Sequence, residues 1–225
     1  MPQRRVSCHA EKCRVPQSFE PPFEKAEKYV EDLFSRIERV PEQGVLRIGG
    51  QRYVLMRCAS LYLSWFDAMA ETFGEQTARD FVYNTAREIG RSDSKDFCSR
   101  LNVTDGIERL SSGPIHFAHA GWALVDILQD SQPTMDDSYY LHYQHPNTFE
   151  AEVIKDQDRR LTKPACLFSA GYSAGWCSEA FHVEVHAREI HCMAKGDQTC
   201  EFIMSPHDKL DSHELRLLKE WKDSK

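Results

Sequence analysis

Apolar residues recur at helical spacing through most of the first half of the chain. Phe23, Ala26, Tyr29, Val30, Leu33, Phe34 and Ile37 share one face, so the spacing predicts a helix over 23–40, closed by Pro41 and Gly44. VLRI, the pair Gly49-Gly50 and QRYVLM predict a hairpin over 45–56, because two glycines supply the positive φ that a tight hairpin turn needs. Leu61, Leu63, Trp65, Phe66, Met69 and Phe73 predict a second helix over 59–74, with Gly74 as its C-cap. Ala78, Phe81, Val82, Thr85, Ala86 and Ile89 predict a third from Glu75 to Gly90. Helical segments follow over 92–102 and 105–112, the latter capped by Thr104 or Asp105.

The pattern then changes. IHFAHAGWALVDI, over 115–127, is continuously apolar and reads as a buried strand. QDSQPTMDDS is a loop, SYYLHYQH a strand, and HPN a turn before FEAEVIK. CLFSAGYSAGWCSEAF reads as two glycines and a helix that packs closely. VEVHAREIHCMA, the turn Lys195-Gly196-Asp197 and TCEFIMS form the clearest hairpin, and a polar helix spans 206–222. Residues 1–22, with Pro2, Pro16, Pro21 and Pro22, read as a flexible or docking arm. Helices first, then strands mixed with helices, give an α+β fold class.

Composition narrows the function. The chain has 225 residues, 41% apolar and 11% aromatic, and a net charge of -7. That is a globular composition with room for a large core. The acidic balance, pI near 5.8, argues against a nucleic-acid binder, which needs a basic face. Mean hydropathy is -0.56, no apolar run reaches membrane length, and the start lacks a secretory h-region. A cytoplasmic protein is expected, so its eight cysteines are thiols or metal ligands rather than a disulfide framework.

Cys166, Glu189, Cys192 and Cys200 are the candidate ligands. The last three flank the Lys195-Gly196-Asp197 turn, and a hairpin brings its arms within about 5 Å. Glu189 and Cys192 are three apart, so a regular strand would point them to opposite faces and a bulge or turn is required between them. His186 and His191 are alternative ligands. From spacing alone, a tetrahedral metal site and a set of buried thiols both stay open. GYSAG fits the letters G-x-S-x-G, but no ordered Asp and His accompany it, so a hydrolase is not supported. No phosphate-binding GxxxxGK loop and no dinucleotide fingerprint occur. No catalytic residue is assigned, and the protein is read as a non-enzyme.

The stretch CLFSAGYSAGWCSEAFHVEVHAREIHCMAKGDQTCEFI resembles the 4-vinyl-reductase domain. GQRYVLM, SSGPIHFAHAGWALVDI and HPNTFEAE, in that order, resemble the N-terminal sensory module of the activators of aromatic catabolism. The resemblance implies an α+β ligand-binding fold similar to the heme nitric-oxide sensors and the TRAPP vesicle-tether subunits. It implies zinc held by Cys166, Glu189, Cys192 and Cys200, since the phenol sensors hold theirs with the same residue types. It divides the chain into an arm (1–22), a dimerising sensory part (23–112), the 4-vinyl-reductase domain (113–205) and a helical tail (206–225).

The resemblance also implies a pocket at Leu110, His116, Phe117, Tyr143, His145 and Trp176. Here the match departs from the phenol sensors. Phe117 stands where they carry a histidine, with His116 and His119 nearby, and His145 stands where they carry a tryptophan. Leu110 replaces a phenylalanine and Ala187 a tyrosine. A buried hydroxyl without a partner costs about 1–3 kcal/mol, so these changes weigh against phenol itself and not against an apolar pocket. Cys58, Cys98 and Cys177 are assigned to packing, with acylation of Cys177 as a lesser alternative.

Two functions follow. The first is a stand-alone zinc-containing domain that senses or carries an apolar or aromatic small molecule and signals through a separate partner, as a homodimer built on helix 23–40. The second is a structural or adaptor subunit of a larger assembly that uses the same fold without sensing.

Overall fold

The computed structural model describes residues 4–5, 13–100 and 102–223. Cys8 and His9, in the expected arm, lie outside the described residues. Residues 13–22 belong to the fold instead: after β1 (Arg4–Arg5), β2 (Cys13–Val15) joins the main sheet and buries Cys13 and Val15. Pro21 and Pro22 sit in the first turn of α1 (Glu20–Ser35), where a missing N–H costs nothing. That helix starts earlier and ends earlier than expected. Its expected last turn is β3 (Ile37–Val40), paired antiparallel with β4 (Val45–Ile48), which pairs in turn with β5 (Gln51–Tyr53). Gly49 and Gly50 make the turn at φ 54° and 84°. The expected second strand stops at Tyr53, and Val54, Leu55 and Met56 are exposed.

A π-helical turn (Ser60–Ser64) leads into α2 (Trp65–Phe73). The two helices expected over 75–102 are one, α3 (Glu75–Arg100), because Gly90 is a contact point rather than a terminus. Asp105 accepts the N–H groups of Ile107 and Glu108 and starts α4 (Gly106–Ala120). This corrects the strand expected over 115–127: a continuous apolar run does not distinguish a buried helix from a strand, and only β6 (Ala123–Ile127) is extended, after left-handed Gly121. The turn expected at HPN is also corrected. Those residues end β7 (Leu141–Thr148), and Pro146 lies beyond His145, the last residue paired with β9, in a bulge of β7 where His145 and Pro146 face the single Val125 of β6. The remaining elements are α5 (Phe149–Lys155), α6 (Leu167–Phe181), β8 (His186–His191), β9 (Cys200–Ser205) and α7 (Leu210–Asp223).

The main sheet runs β1-β2-β6-β7-β9-β8, and β3-β4-β5 form a small separate sheet. One core joins the inner face of the main sheet to α4 and α6. Helix α3 crosses α6 at backbone distance. A Cβ on Gly90 would meet the Tyr172 carbonyl oxygen at 2.1 Å, one on Gly171 that of Tyr83 at 2.2 Å, and one on Gly175 that of Arg87 at 1.8 Å. These three glycines therefore set how close α6 sits to α3, and so where its other face points.

Helix α7 lies on the outer face of the sheet. Arg188 pairs with Asp211 and Glu214, Arg216 with Asp130 and Tyr140, and the Tyr140 ring stacks on His213 at 4.4 Å. Between them His142 binds Asp130 through Nδ1 and Glu201 through Nε2, each at 2.9 Å. Burial alone would lower its pKa, but the two carboxylates outweigh burial and raise it to about 9.

Gly175→Ala is expected to cost about 3 kcal/mol, at the upper end of overpacking, read as a lower denaturant midpoint; a loss under about 1 kcal/mol contradicts the close crossing. His142 has a folded pKa above its unfolded value of about 6.5, so its contribution is complete below that pH and is lost as pH rises through about 9. Melting curves across this range should fall for the wild type and flatten for His142→Gln.

Candidate metal centre and ligand cavity

The four candidate ligands converge. One ligand atom from each of Cys166, Glu189, Cys192 and Cys200 lies within 4.8 Å of all the others, and all four residues are buried. Two details of the chain make this possible. The β8–β9 pairing shifts register between Glu189 and His191, which supplies the bulge that the spacing demands. Cys192 then leaves the strand as the start of a helical turn (Met193–Lys195) closed by left-handed Gly196. Cys166 stands at the N-terminus of α6, so the cluster ties that helix to the hairpin.

The donor chemistry fits a cation. Tetrahedral zinc with bonds of about 2.3 Å places two sulfurs roughly 3.8 Å apart; the Cys166 and Cys200 sulfurs are 3.5 Å apart. Backbone N–H groups of Ala165 and Met193 point at the Cys192 and Cys200 sulfurs, each at 3.4 Å, as a thiolate requires. Glu189 accepts the Cys166 N–H on one oxygen at 2.8 Å, while the other is buried with no hydrogen-bond partner. Burial pushes the Glu189 carboxyl and the Cys166 thiol well above their ordinary values, and S–H contacts from Cys166 and Cys200 hold Cys192 low. Only a cation would let all four groups be anionic together.

Glu150 was not singled out from the sequence. It is fully buried in α5 and accepts the Phe168 and Ser169 N–H groups at 2.7 and 3.0 Å, which caps the start of α6. Burial raises its carboxyl to about 7. FEAEVIK holds two glutamates and a lysine, and the available signal was spacing: Glu150 stands three and four residues before Val153 and Ile154, on one helical face.

Behind the cluster, an apolar cavity lies between α4, α6 and the inner face of the sheet. Leu110 and Phe117 come from α4, Tyr172, Ser173, Trp176 and Cys177 from α6, and Val125, Ile127, Leu141, Tyr143 and Met204 from alternate strand positions. The atom-free space is about 380 Å³, of which about 30 Å³ admits the centre of a water molecule. Two polar groups in the wall are satisfied from behind: the Trp176 N–H donates to the Arg109 carbonyl at 2.9 Å, and the Tyr172 hydroxyl to Asp93 at 2.8 Å. The Tyr143 hydroxyl is buried with no hydrogen-bond partner. Cys177 lines the cavity, and burial raises its thiol to about 12.

Of the six residues expected at the pocket, Leu110, Phe117, Tyr143 and Trp176 line this cavity together. His145 lies further along β7, opposite Cys200, with its ring 4.5 Å from Phe202; burial lowers it to about 3. His116 faces away from Phe117 and stacks on the far side of Trp176 at 5.9 Å. Cys98 is buried as expected, but Cys58 is exposed, so its assignment to packing is corrected. Among the described residues no helix is long and apolar enough to cross a membrane.

Comparison with known proteins agrees with this layout. The model of the activators of aromatic catabolism matches residues 32–131, and that of the V4R domain matches residues 148–206. The chain is thus similar to that sensory module and then to a V4R domain, in that order. The two models meet across the cavity: the first covers α4 and β6, the second α6 and the metal cluster. The chain is 24% identical over 179 residues to the phenol regulator MopR of Acinetobacter guillouiae, and 22% identical over 171 residues to the transcriptional regulatory protein XylR of Pseudomonas putida. These alignments cover 80% and 76% of this chain but 32% and 30% of the relatives, about a third of their length. The crystal structure of the phenol-responsive sensory domain of the transcription activator PoxR with phenol superposes with a TM-score of 0.69 at 20% identity, covering 85% of this chain and 94% of that one. That likeness shows the α+β fold.

Proposed function

We propose that this chain is a zinc-containing sensing or carrier domain for a small aromatic molecule, bound in the cavity between α4, α6 and the sheet. The observation that carries the reading is the cavity itself: an apolar void whose wall carries the buried Tyr143 hydroxyl, with the Ser173 hydroxyl beside it. Few polar groups in an apolar shell are what orient a small ligand. The names of the relatives, a phenol regulator and a phenol-responsive domain, support the same class of ligand. The void admits little more than a water as it stands, so a ring enters only if Trp176 or Met204 shifts.

Leu110, Phe117, Tyr143 and Trp176 contact the ligand in this reading, and His116 and His145 support the wall from outside. Zinc is held by Cys166, Glu189, Cys192 and Cys200, and when bound it supplies the positive charge that keeps the hairpin joined to α6. The protein acts as a sensor and not as an enzyme. It signals through a partner, as a homodimer or within a larger complex, in the cytoplasm. The kinship with heme nitric-oxide sensors and TRAPP tether subunits, and the division into a dimerising sensory part, a 4-vinyl-reductase domain and a helical tail, belong to the same proposal; the expected boundaries at 22 and 112 fall inside α1, after β2 has already joined the sheet, and inside α4.

The Tyr143 hydroxyl supplies the polar partner whose loss at Phe117 and His145 weighed against phenol, so titration calorimetry should show phenol binding with a preference over toluene. Tyr143→Phe should reduce that preference by a hydrogen bond's worth, about 1 kcal/mol, or roughly fivefold, without abolishing toluene binding. Equal affinities in wild type and variant would remove Tyr143 from the site. Elemental analysis should find one zinc per chain, lost with helix stability in Cys192→Ala; a folded, metal-free wild type contradicts the centre.

A further inference from the structure

A second and larger hollow opens on the other side of Trp176, between the β3-β4-β5 sheet and helices α1, α3 and α4. It is an open groove with room for about 650 Å³ of water-sized occupancy. Aromatic rings form its floor. Phe34, Phe97 and Trp176 each lie within 6 Å of the His116 ring, at 5.6, 5.7 and 5.9 Å between centroids. Tyr53 and the exposed Leu55 stand on the opposite wall.

His116 is 8% exposed, lines this groove, and its Nδ1 has no hydrogen-bond partner. Burial, with His119 adding to it, lowers its pKa to about 4, so the ring is neutral at pH 7 and Nδ1 can accept a hydrogen bond. A buried acceptor without a donor costs about 1–3 kcal/mol, and an incoming donor recovers it. Among the charged groups of the lining, Asp96 pairs with Arg100 at 3.5 Å, Arg100 also donates to the Gly49 carbonyl at 2.6 Å, Arg52 donates to the Gly44 carbonyl, and Asp93 accepts the Tyr172 hydroxyl. The choice of a neutral ligand rests on His116, because only a hydroxyl that keeps its proton can donate to Nδ1.

We infer that this groove is a second ligand site, distinct from the inner cavity, which takes a neutral, flat, hydroxylated aromatic molecule with its hydroxyl on His116 Nδ1. Its size suits two fused rings, whereas the inner cavity does not admit them. Trp176 is the partition between the two sites, since it lines both.

The probe is 2-naphthol, with naphthalene as the hydroxyl-free control, titrated into the full chain. Amide shifts should move at Phe34, Tyr53 and Phe97 and stay still at Val125, Ile127 and Leu141. Naphthalene should bind at least fivefold more weakly, and His116→Phe should bring 2-naphthol to the same level while the fold is retained. Leu55→Glu, on an exposed rim position, should weaken binding as well and covers the case in which the His116 variant unfolds. Shifts confined to the inner cavity, equal affinity for both probes, or no binding of 2-naphthol would each overturn the groove site. A dimer that shields these amides from the probe would overturn it also. Because phenol binding in the inner cavity is read separately, either site can fail without the other.

Discussion

The architecture depends on three places where side chains are absent. Gly90, Gly171 and Gly175 let α3 and α6 meet backbone to backbone. Helix α6 is then held at a fixed depth, and its two functional ends follow from that. Its N-terminus delivers Cys166 to the hairpin, and its free face presents Tyr172, Ser173, Trp176 and Cys177 to the sheet. A residue with a Cβ at any of the three positions would force α3 and α6 apart and disturb both the cluster and the cavity.

The cluster and the cavity are therefore not independent. Cys166 starts α6, Glu189, Cys192 and Cys200 belong to the hairpin, and the cavity is walled by α6 and, through Met204, by one strand of that hairpin. A cation that satisfies four otherwise conflicting acids would fix the gap across which the ligand sits. The strands that line the cavity also carry α7 on their other side: Leu141 and Tyr143 face inward, and Tyr140 and His142 face the helix. A ligand that displaces the inner residues acts one residue away from the contacts that hold α7.

Much of this was legible in the chain. The four candidate ligands were legible as residue types around a glycine turn, but spacing left a metal site and buried thiols both open, with His186 and His191 as alternatives, and the resemblance chose among them; the bulge they require is present. The helix α1, the glycine turn at 49–50 and the β8–β9 hairpin were legible for local reasons. What was not legible depends on distant neighbours. IHFAHA reads equally as strand or helix until Asp105 and Gly121 are seen to cap it. Gly90 looks like a helix end until Tyr172 is found against it. His116 and Phe117 are adjacent in sequence, yet they face different hollows, and only the packing of α4 decides which one meets the cavity.

The central claim is that the void bounded by Phe117, Tyr143 and Trp176 is the ligand site. A crystal structure of the zinc-loaded protein grown with phenol tests it most directly. The account predicts one planar ring in that void, with its hydroxyl within hydrogen-bond distance of Tyr143 and the Trp176 or Met204 side chain displaced. A ring bound elsewhere while this void stays closed would contradict it.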